Sequence, residues 1–353
     1  MITGEKVEGR GIVVWKIGDI EIKNKICVAP MAGVTNAAFR TIVKEFGAGL
    51  VVCEMVSDKA LVHRNKKSLQ MLHIEPNEYP LSIQIMGGDT TSMVEAAQFI
   101  EKETDAAILD INMGCPVPKI TKNDAGSKLL LEPDYIYELV SRVVDAVSMP
   151  VTVKMRTAWD EDHMWPVENA LAAERAGAQM LAMHGRTRVQ MYEGQADWEI
   201  LRQVQEAINI PFVANGDIAT PADVDEVLRV TGADAVMVGR AALGNPWVVK
   251  QLAHYLETGE ILEEPTPLEQ IDVAKDHFGR LIDLKGEHVA TKEFRKHASY
   301  YLKGLPGSAR FKVAINETED PDEVVRLLDE FAQKAQQKLD KRKERRQARQ
   351  QKS

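Results

Sequence analysis

The chain is poor in cysteine, with three in 353 residues: Cys27, Cys53 and Cys115. An odd number without metal-ligand spacing provides neither a disulfide framework nor a zinc site, and it fits a reducing compartment. Long hydrophobic runs are also missing. None approaches the roughly 18 residues that a membrane helix needs, and the N-terminus, where Glu5 and Glu8 stand beside Lys6 and Arg10, lacks the apolar core of a signal peptide. A cytoplasmic protein with no metal and no membrane partner is expected. There is no overall excess of cations: the net charge is −9, which by itself argues against a nucleic-acid partner. No glycine-rich dinucleotide fingerprint follows the first apolar run, so a doubly wound sheet fits poorly.

What is present is an ordinary globular composition, 44% hydrophobic and 27% charged, long enough for one large core and a smaller appended domain. Eight short apolar runs recur: 26–29, 50–53, 81–85, 106–111, 151–155, 180–183, 211–214 and 235–238. Helical patterns lie between them, as at 92–103, 134–147, 167–176, 199–207 and 221–231, the last opening with Thr220 as cap and Pro221 at the first position. Eight strand–helix units in about 240 residues, with strands apolar throughout, predict a (β/α)8 barrel.

Residues 11–22 alternate apolar with polar in places and are expected to form a hairpin on the barrel floor. The expected organisation is a barrel over 1–257, a linker over 258–267 rich in Pro and Glu, a helical bundle over 268–335 and a basic tail over 336–353. In the bundle Ile271, Ala274, Phe278, Leu281 and Ile282, and again Val324, Leu327, Leu328 and Phe331, recur at helical spacing. From Lys334 onward nine Lys or Arg face Asp340 and Glu344, a net +7 that leaves −9 − 7 = −16 for the rest. The run is either a solvated helix end or a phosphate-binding arm.

Barrels do their chemistry at the carboxyl ends of their strands. In DINMGCP, residues 110–116, Asn112 and Cys115 fall just past the apolar run 106–111, and Gly114 and Pro116 force a turn that presents the thiol. A small packed loop thiol is the competing reading. The other strand ends supply Pro30, Met31 and Ala32, Glu54, Gln84, Lys154 with Arg156, His184 with Arg186 and Arg188, Asn215-Gly216-Asp217, and Gly239-Arg240. Singly these have structural explanations: a loop hydrogen bond for Gln84, a satisfied core histidine at 184, a turn at 215–217. Together, amide, ammonium, imidazole and guanidinium groups without paired carboxylates suit a neutral heteroaromatic ring carrying a phosphate. Gly216 and Gly239 let backbone N–H groups approach phosphate oxygens, and Arg240 adds a cation.

The ordered set APMAGVTNAAFR (29–40), CEMVS (53–57), IQIMGG (83–88), DINMGCPVPKITKNDAGSKLL (110–130), VKMR (153–156), HGRTRVQMYEG (184–194), VANGDI (213–218) and GRAALGNPW (239–247) resembles the bacterial tRNA-dihydrouridine synthase family, over about residues 20–330. The resemblance implies an FMN enzyme, fed by NADPH, that reduces the C5=C6 bond of uridines in tRNA. It implies FMN contacts at Pro30, Met31, Ala32, Gln84, Lys154, His184, Asn215, Gly216, Asp217, Gly239 and Arg240. Cys115 is then the proton donor to C5, hydride arriving at C6, and Asn112 and Arg186 face the uridine. An ordinary thiol, pKa about 8.5, is protonated at neutral pH and suits that role. Phosphates flanking the extruded nucleotide are expected at Arg186, Arg188 or the segment 294–304, where Arg295, Lys296, His297 and Lys303 interleave with Phe294, Tyr300 and Tyr301. Two rivals remain at this point: an FMN barrel acting on a free pyrimidine, as dihydroorotate dehydrogenases do, and a noncatalytic RNA-binding barrel.

Overall fold

The computed structural model describes residues 13–350. The chain divides into two compact units: one of residues up to 241 together with 248–261, the other of 242–247 together with 262 onward.

The first unit is a closed barrel preceded by a hairpin. The hairpin pairs β1 (Trp15–Ile17) with β2 (Ile20–Ile22) antiparallel; residues 11 and 12 of the expected hairpin lie outside the described residues. The barrel strands are β3 (Ile26–Val28), β4 (Leu50–Val52), β6 (Leu81–Met86), β7 (Ile108–Met113), β8 (Val151–Arg156), β9 (Leu181–His184), β10 (Phe212–Asn215) and β11 (Ala235–Val238). They pair in parallel around a ring that β4 closes against β6, while β5 (Val56–Ser57) is a two-residue spur on β6. All eight apolar runs become strands of the expected barrel. The closing hairpin seals one end: Trp15, Ile17 and Ile22 pack on Cys27, Leu50, Ile108, Ala182, Val213 and Ala235 inside the barrel. The site therefore has to lie at the other end, where the strands finish.

Within strands that read as apolar throughout, a two-residue alternation is hidden. Leu109, Ile111 and Met113 share one face of β7, and Asp110 and Asn112 share the other. The register sets Gln84 beside Asp110, Asn112 beside Lys154, Arg156 beside His184 and His184 beside Asn215. Polar residues thus meet on adjacent rungs at one end of the barrel. The expected strand end at residue 111 is corrected: β7 runs two residues further, so Asn112 sits on the strand itself.

The second unit is helical, built from helices Pro267–Lys285, Glu287–Tyr301, Ser308–Glu317 and Pro321–Gln350. Thr266 caps the first through a reciprocal bond with Glu269, and Pro267 stands at its first position. Ile271, Ala274, Phe278 and Leu281 are buried, with Phe278 against Phe294 at 4.7 Å and Phe311 against Phe331 at 5.1 Å. The bundle and tail expected to part at 335/336 share one unbroken helix. No glycine or proline follows Pro321 up to Gln350, and Lys, Arg, Gln and Glu are good helix formers.

Candidate active site

One hydrogen-bonded chain carries the floor of the site. Asp110, 3% exposed, accepts from Thr152 Oγ1 and from Gln84 Nε2, each at 2.6 Å. Gln84 Oε1 accepts from Asn112 Nδ2 at 2.7 Å. Asn112 Oδ1 in turn accepts from the backbone N–H of Cys115 at 2.9 Å and of Gly114 at 3.2 Å. A carboxylate only accepts, so it forces Gln84 to present its amide nitrogen downward, and the order of donors and acceptors is then fixed as far as the cysteine loop. On the far side of the loop, Ser127 donates to the Cys115 carbonyl through Oγ at 3.0 Å and through its N–H at 3.1 Å. The backbone bearing the thiol is clamped from both sides.

Burial sets the charges. Asp110 is pushed up to about 6 by burial, opposed by its bonds to Gln84 and Thr152. Lys154 is lowered to about 8, first by burial and then by Arg156, while Asp110 and Cys115 pull it back up. The Cys115 thiol is raised by burial, with Arg156 and Lys154 acting the other way. Cys115 is therefore a thiol and Lys154 an ammonium at neutral pH. His184 falls to about 2 through burial and the cations Lys154, Arg156, Arg186 and Arg240. Its Nε2 lies 3.3 Å from Arg186 Nη1. Since arginine can only donate, Nε2 accepts and the ring proton rests on Nδ1.

The expected residues do not all face open space. Pro30, Met31 and Ala32 follow β3 at the open end, the first two partly exposed and Ala32 exposed. Asn215 bridges Lys154 Nζ at 3.2 Å and the Met237 carbonyl at 2.7 Å. Gln84 has no exposed surface, and one of its amide protons and its oxygen are engaged within the protein, so it supports the site from below and does not face open space. The Asp217 carboxylate accepts from Arg186 at 2.6 Å, from the Ala196 N–H at 2.8 Å and from Arg240 at 3.4 Å. A phosphate there would meet backbone N–H groups rather than that side chain.

Arg186, expected to face the substrate, is 2% exposed and donates to the carbonyls of Glu193 and Gly194, to Asp217 and to His184. A guanidinium taken out of water needs such partners, and they turn it into a strut of the wall. The two glycines differ. Gly216 has φ +123° and a Cβ there would lie 2.7 Å from Ala196 Cβ, so the protein itself demands glycine. At Gly239 a Cβ would meet only Ala29 Cβ at an ordinary 3.7 Å, which leaves open rim beside Arg240.

Of the second unit's expected contacts, Arg295 donates to the Thr318 carbonyl at 3.0 Å, at the end of helix Ser308–Glu317, and Lys296 is exposed. Phe294, His297 and Tyr301 are buried in the core of that unit and so offer no stacking surface, which leaves Tyr300 as the partly exposed aromatic of the segment. Three functional candidates escape a reading of the sequence. Asp110 lies inside the apolar run 106–111, where the sequence assigns it no role. Tyr192 lies in a loop, its ring facing Arg240 at 4.5 Å, Arg156 at 5.5 Å and His184 at 6.2 Å. Trp159, also in a loop, meets Arg188 at 4.4 Å.

The rim therefore combines four cations, Lys154, Arg156, Arg186 and Arg240, with two carboxylates, Asp110 and Asp217. Among the described residues no cluster of His, Cys, Asp or Glu could hold a metal, and no helix is long and apolar enough to cross a membrane. An excess of two positive charges, an imidazole Nδ1–H that no described residue accepts, and the open space at Gly239 fit an anionic, ring-bearing cofactor.

Comparison with known proteins agrees with that chemistry. The family model described as dihydrouridine synthase matches residues 27–339. The chain is 42% identical over 317 residues to a protein of Rickettsia conorii named probable tRNA-dihydrouridine synthase, covering 90% of this chain and 96% of that one. It is also 42% identical over 308 residues to tRNA-dihydrouridine synthase B of Pseudomonas aeruginosa, covering 87% and 92%. A solved structure of histamine dehydrogenase from Rhizobium sp. 4-9 shares the fold at 12% identity, with TM-score 0.56, covering 77% of this chain and 51% of that one. The chain belongs to the dihydrouridine synthase family, and it is an oxidoreductase of that family.

Proposed function

We infer that the protein reduces uridines of tRNA to dihydrouridine, with FMN as cofactor, NADPH as electron donor and Cys115 as the acid, and that it works in the cytoplasm. The observation that carries this reading is the chain of hydrogen bonds that runs from Asp110 through Gln84 and Asn112 to the amide of a protonated Cys115, which is 9% exposed in the turn after β7.

FMN, when bound, would supply the hydride chemistry at C6 of the uracil ring, with NADPH as the source of electrons. The chain's own residues do the rest. Lys154, Asn215, His184, Arg240 and the backbone around Gly216 and Gly239 hold the cofactor, and Pro30, Met31 and Ala32 border it. Lys154 keeps its proton at neutral pH and so stabilises negative charge on the flavin ring. As hydride reaches C6, charge builds on C5 and O4. Cys115 gives its proton to C5, the C5=C6 bond becomes single, and the thiolate left behind regains a proton from solvent. Arg156 and Lys154 ease that transient thiolate. Clamping of the Cys115 backbone holds the donor sulfur in place, which is what a general acid needs. The substrate base has to leave its stack to reach a barrel rim, and this costs least where a tRNA loop is already unpaired.

The test is direct. Purified protein should be yellow with noncovalent FMN and should form dihydrouridine in tRNA with NADPH, while free uridine and orotate stay unreduced. Reduction of free bases at rates matching tRNA would favour the pyrimidine dehydrogenase reading; failure to bind FMN even on reconstitution would remove the enzyme reading altogether.

A further inference from the structure

Beside the cysteine loop, a cleft of about 390 Å³ opens on the barrel unit, with Lys122, Asp124, Lys128, Trp159 and Arg188 in its lining. We propose that this cleft binds the nucleotide next to the target uridine in the RNA chain, with its phosphodiester on Lys122, Lys128 and Arg188 and its base on Trp159. The inference rests on the function proposed above and extends it to a subsite.

Four observations converge. The cleft's volume falls within the roughly 300–1,000 Å³ of small-ligand sites. Its charge is three cations against Asp124, a net +2. Trp159 is half-buried, with the Arg188 guanidinium 4.4 Å and the Lys128 ammonium 5.3 Å from its ring. The Arg188 Nε–H is buried without a hydrogen-bond partner, an orphan donor in a wall that already holds an aromatic ring. Orphan donors of that kind are rare unless a ligand completes them.

The local fold explains how these groups are brought together. The loops after β8 and β9 pair as a short ribbon: the Arg188 N–H donates to the Ala158 carbonyl at 2.8 Å and the Val189 N–H to the Trp159 carbonyl at 3.2 Å. Arg188 and Trp159 are therefore held side by side by backbone. Lys122 and Lys128 belong to the segment that follows Cys115, and Ser127, next to Lys128, is the residue that anchors the Cys115 carbonyl. Cleft and thiol share one loop.

Geometry then selects the occupant. A base extruded into the site stays tied to its neighbours by one phosphodiester on each side, so a flanking nucleotide must rest on the rim close to Cys115. An aromatic face beside fixed cations is the chemistry that holds an unstacked base and its phosphate without reading sequence. Phosphate contact by the guanidinium would also supply the missing acceptor for Nε.

Three variants test the proposal: Trp159→Ala, Trp159→Phe and the double change Lys122→Gln with Lys128→Gln. tRNA affinity is measured as a function of salt, together with KM and kcat for dihydrouridine formation. Stacking on an aromatic side chain is worth about 5- to 150-fold per base. Trp159→Ala should raise KM for tRNA within that span and leave flavin content as in the parent, and Trp159→Phe should recover most of the loss. The lysine pair should weaken binding and flatten the slope of log K against log salt by about 0.7 for each phosphate no longer neutralised. Lys122 is exposed and Lys128 half-buried, so this double variant keeps the fold and decides the charge half of the proposal even if Trp159→Ala folds poorly. Parental affinity and salt slope in the lysine pair, or a Trp159→Phe variant as defective as Trp159→Ala, would overturn it. If the parent itself makes no dihydrouridine, the failure belongs to the proposed function and not to the cleft.

Discussion

Asparagine in place of Asp110 removes the one charge beneath the site while keeping its shape. The buried carboxyl has its pKa pushed up from 3.8 to about 6, so at pH 7 it is still about nine-tenths ionised. Folded protein binds this proton more tightly than unfolded chain does. The sign follows: the group is least unfavourable below about pH 4, loses ground as pH rises toward about 6, and above that opposes folding by about 3 kcal/mol.

In the Asn variant the oxygen can still accept from Gln84, and the new amide can donate to the Thr152 hydroxyl oxygen. What is lost is the charge-assisted character of one bond, about 1 kcal/mol. Asp110→Asn should therefore gain about 1–2 kcal/mol at pH 7.5, with the gain vanishing near pH 4.5. Urea unfolding of flavin-free protein at the two pH values measures it. Tryptophan fluorescence reports on the right unit, because Trp15, Trp159, Trp165 and Trp198 all lie in the barrel unit. Function should move the other way. Asp110 supports the proton on Lys154, so its neutralisation lowers that lysine further and weakens flavin binding at pH 7.5. A variant less stable than its parent at pH 7.5, or an equal stability difference at both pH values, would refute the charge assignment.

Other substitutions separate the remaining roles. Cys115→Ala should keep flavin and tRNA affinity and lose roughly 10²- to 10⁴-fold in single-turnover dihydrouridine formation; Cys27→Ala and Cys53→Ala should be mild, since burial pushes those thiols up to about 12 and about 11 and keeps them inert. Flavin affinity, read by fluorescence quenching between pH 6.5 and 9.5, should fall as pH rises through about 8, where Lys154 loses its proton, and Lys154→Ala should bind weakly with that pH dependence gone. Deleting residues 338–353 removes the exposed Lys341, Arg342, Lys343 and Arg345 and should lower tRNA affinity and flatten its salt dependence; Lys296→Gln should do the same on a smaller scale. Identical salt slopes in both would mark the run as a solvated helix end.

The barrel was legible because strands buried on both faces are written as apolar runs, and eight of them leave little choice of architecture. Their internal alternation was harder to see. Asn112 reads as the end of a strand since it is polar, yet it continues β7 for a structural reason: its neighbour Lys154 on β8 and the amide of Cys115 give it partners. Strand β5 and the short helices Asp58–Val62 and Lys66–Met71 are too brief to leave a periodic trace. Trp159 and Tyr192 stand in loops where no period exists, and they acquire meaning only through the cations that fold against them.

Charge at a strand end is an ambiguous sign, and the ambiguity is resolved by counting acceptors. Arg186 and Arg188 are two residues apart in one motif and read alike. Arg186 meets two carbonyls, a carboxylate and an imidazole, so its burial is compensated internally and it has little left to offer a ligand. Arg188 donates its backbone N–H to Ala158, lays its guanidinium over Trp159 and keeps a buried Nε–H unanswered. Desolvating a guanidinium without filling its donors costs free energy that folding alone does not return. In the helical unit Arg295 spends one donor on the Thr318 carbonyl at a helix end and, like Arg188, keeps a buried Nε–H unanswered. Recognition should therefore fall to the cations with donors the fold leaves unanswered, Arg188 and Arg295 on the RNA side and Lys154 on the cofactor side, and fully paired ones such as Arg186 should govern stability. Arg186→Lys puts this to the test: it should lower the unfolding midpoint by severing the ties to Glu193, Gly194 and Asp217, while Arg188→Lys should leave the midpoint in place and weaken tRNA binding. The opposite pattern would mean that Arg186 leaves its partners when substrate arrives.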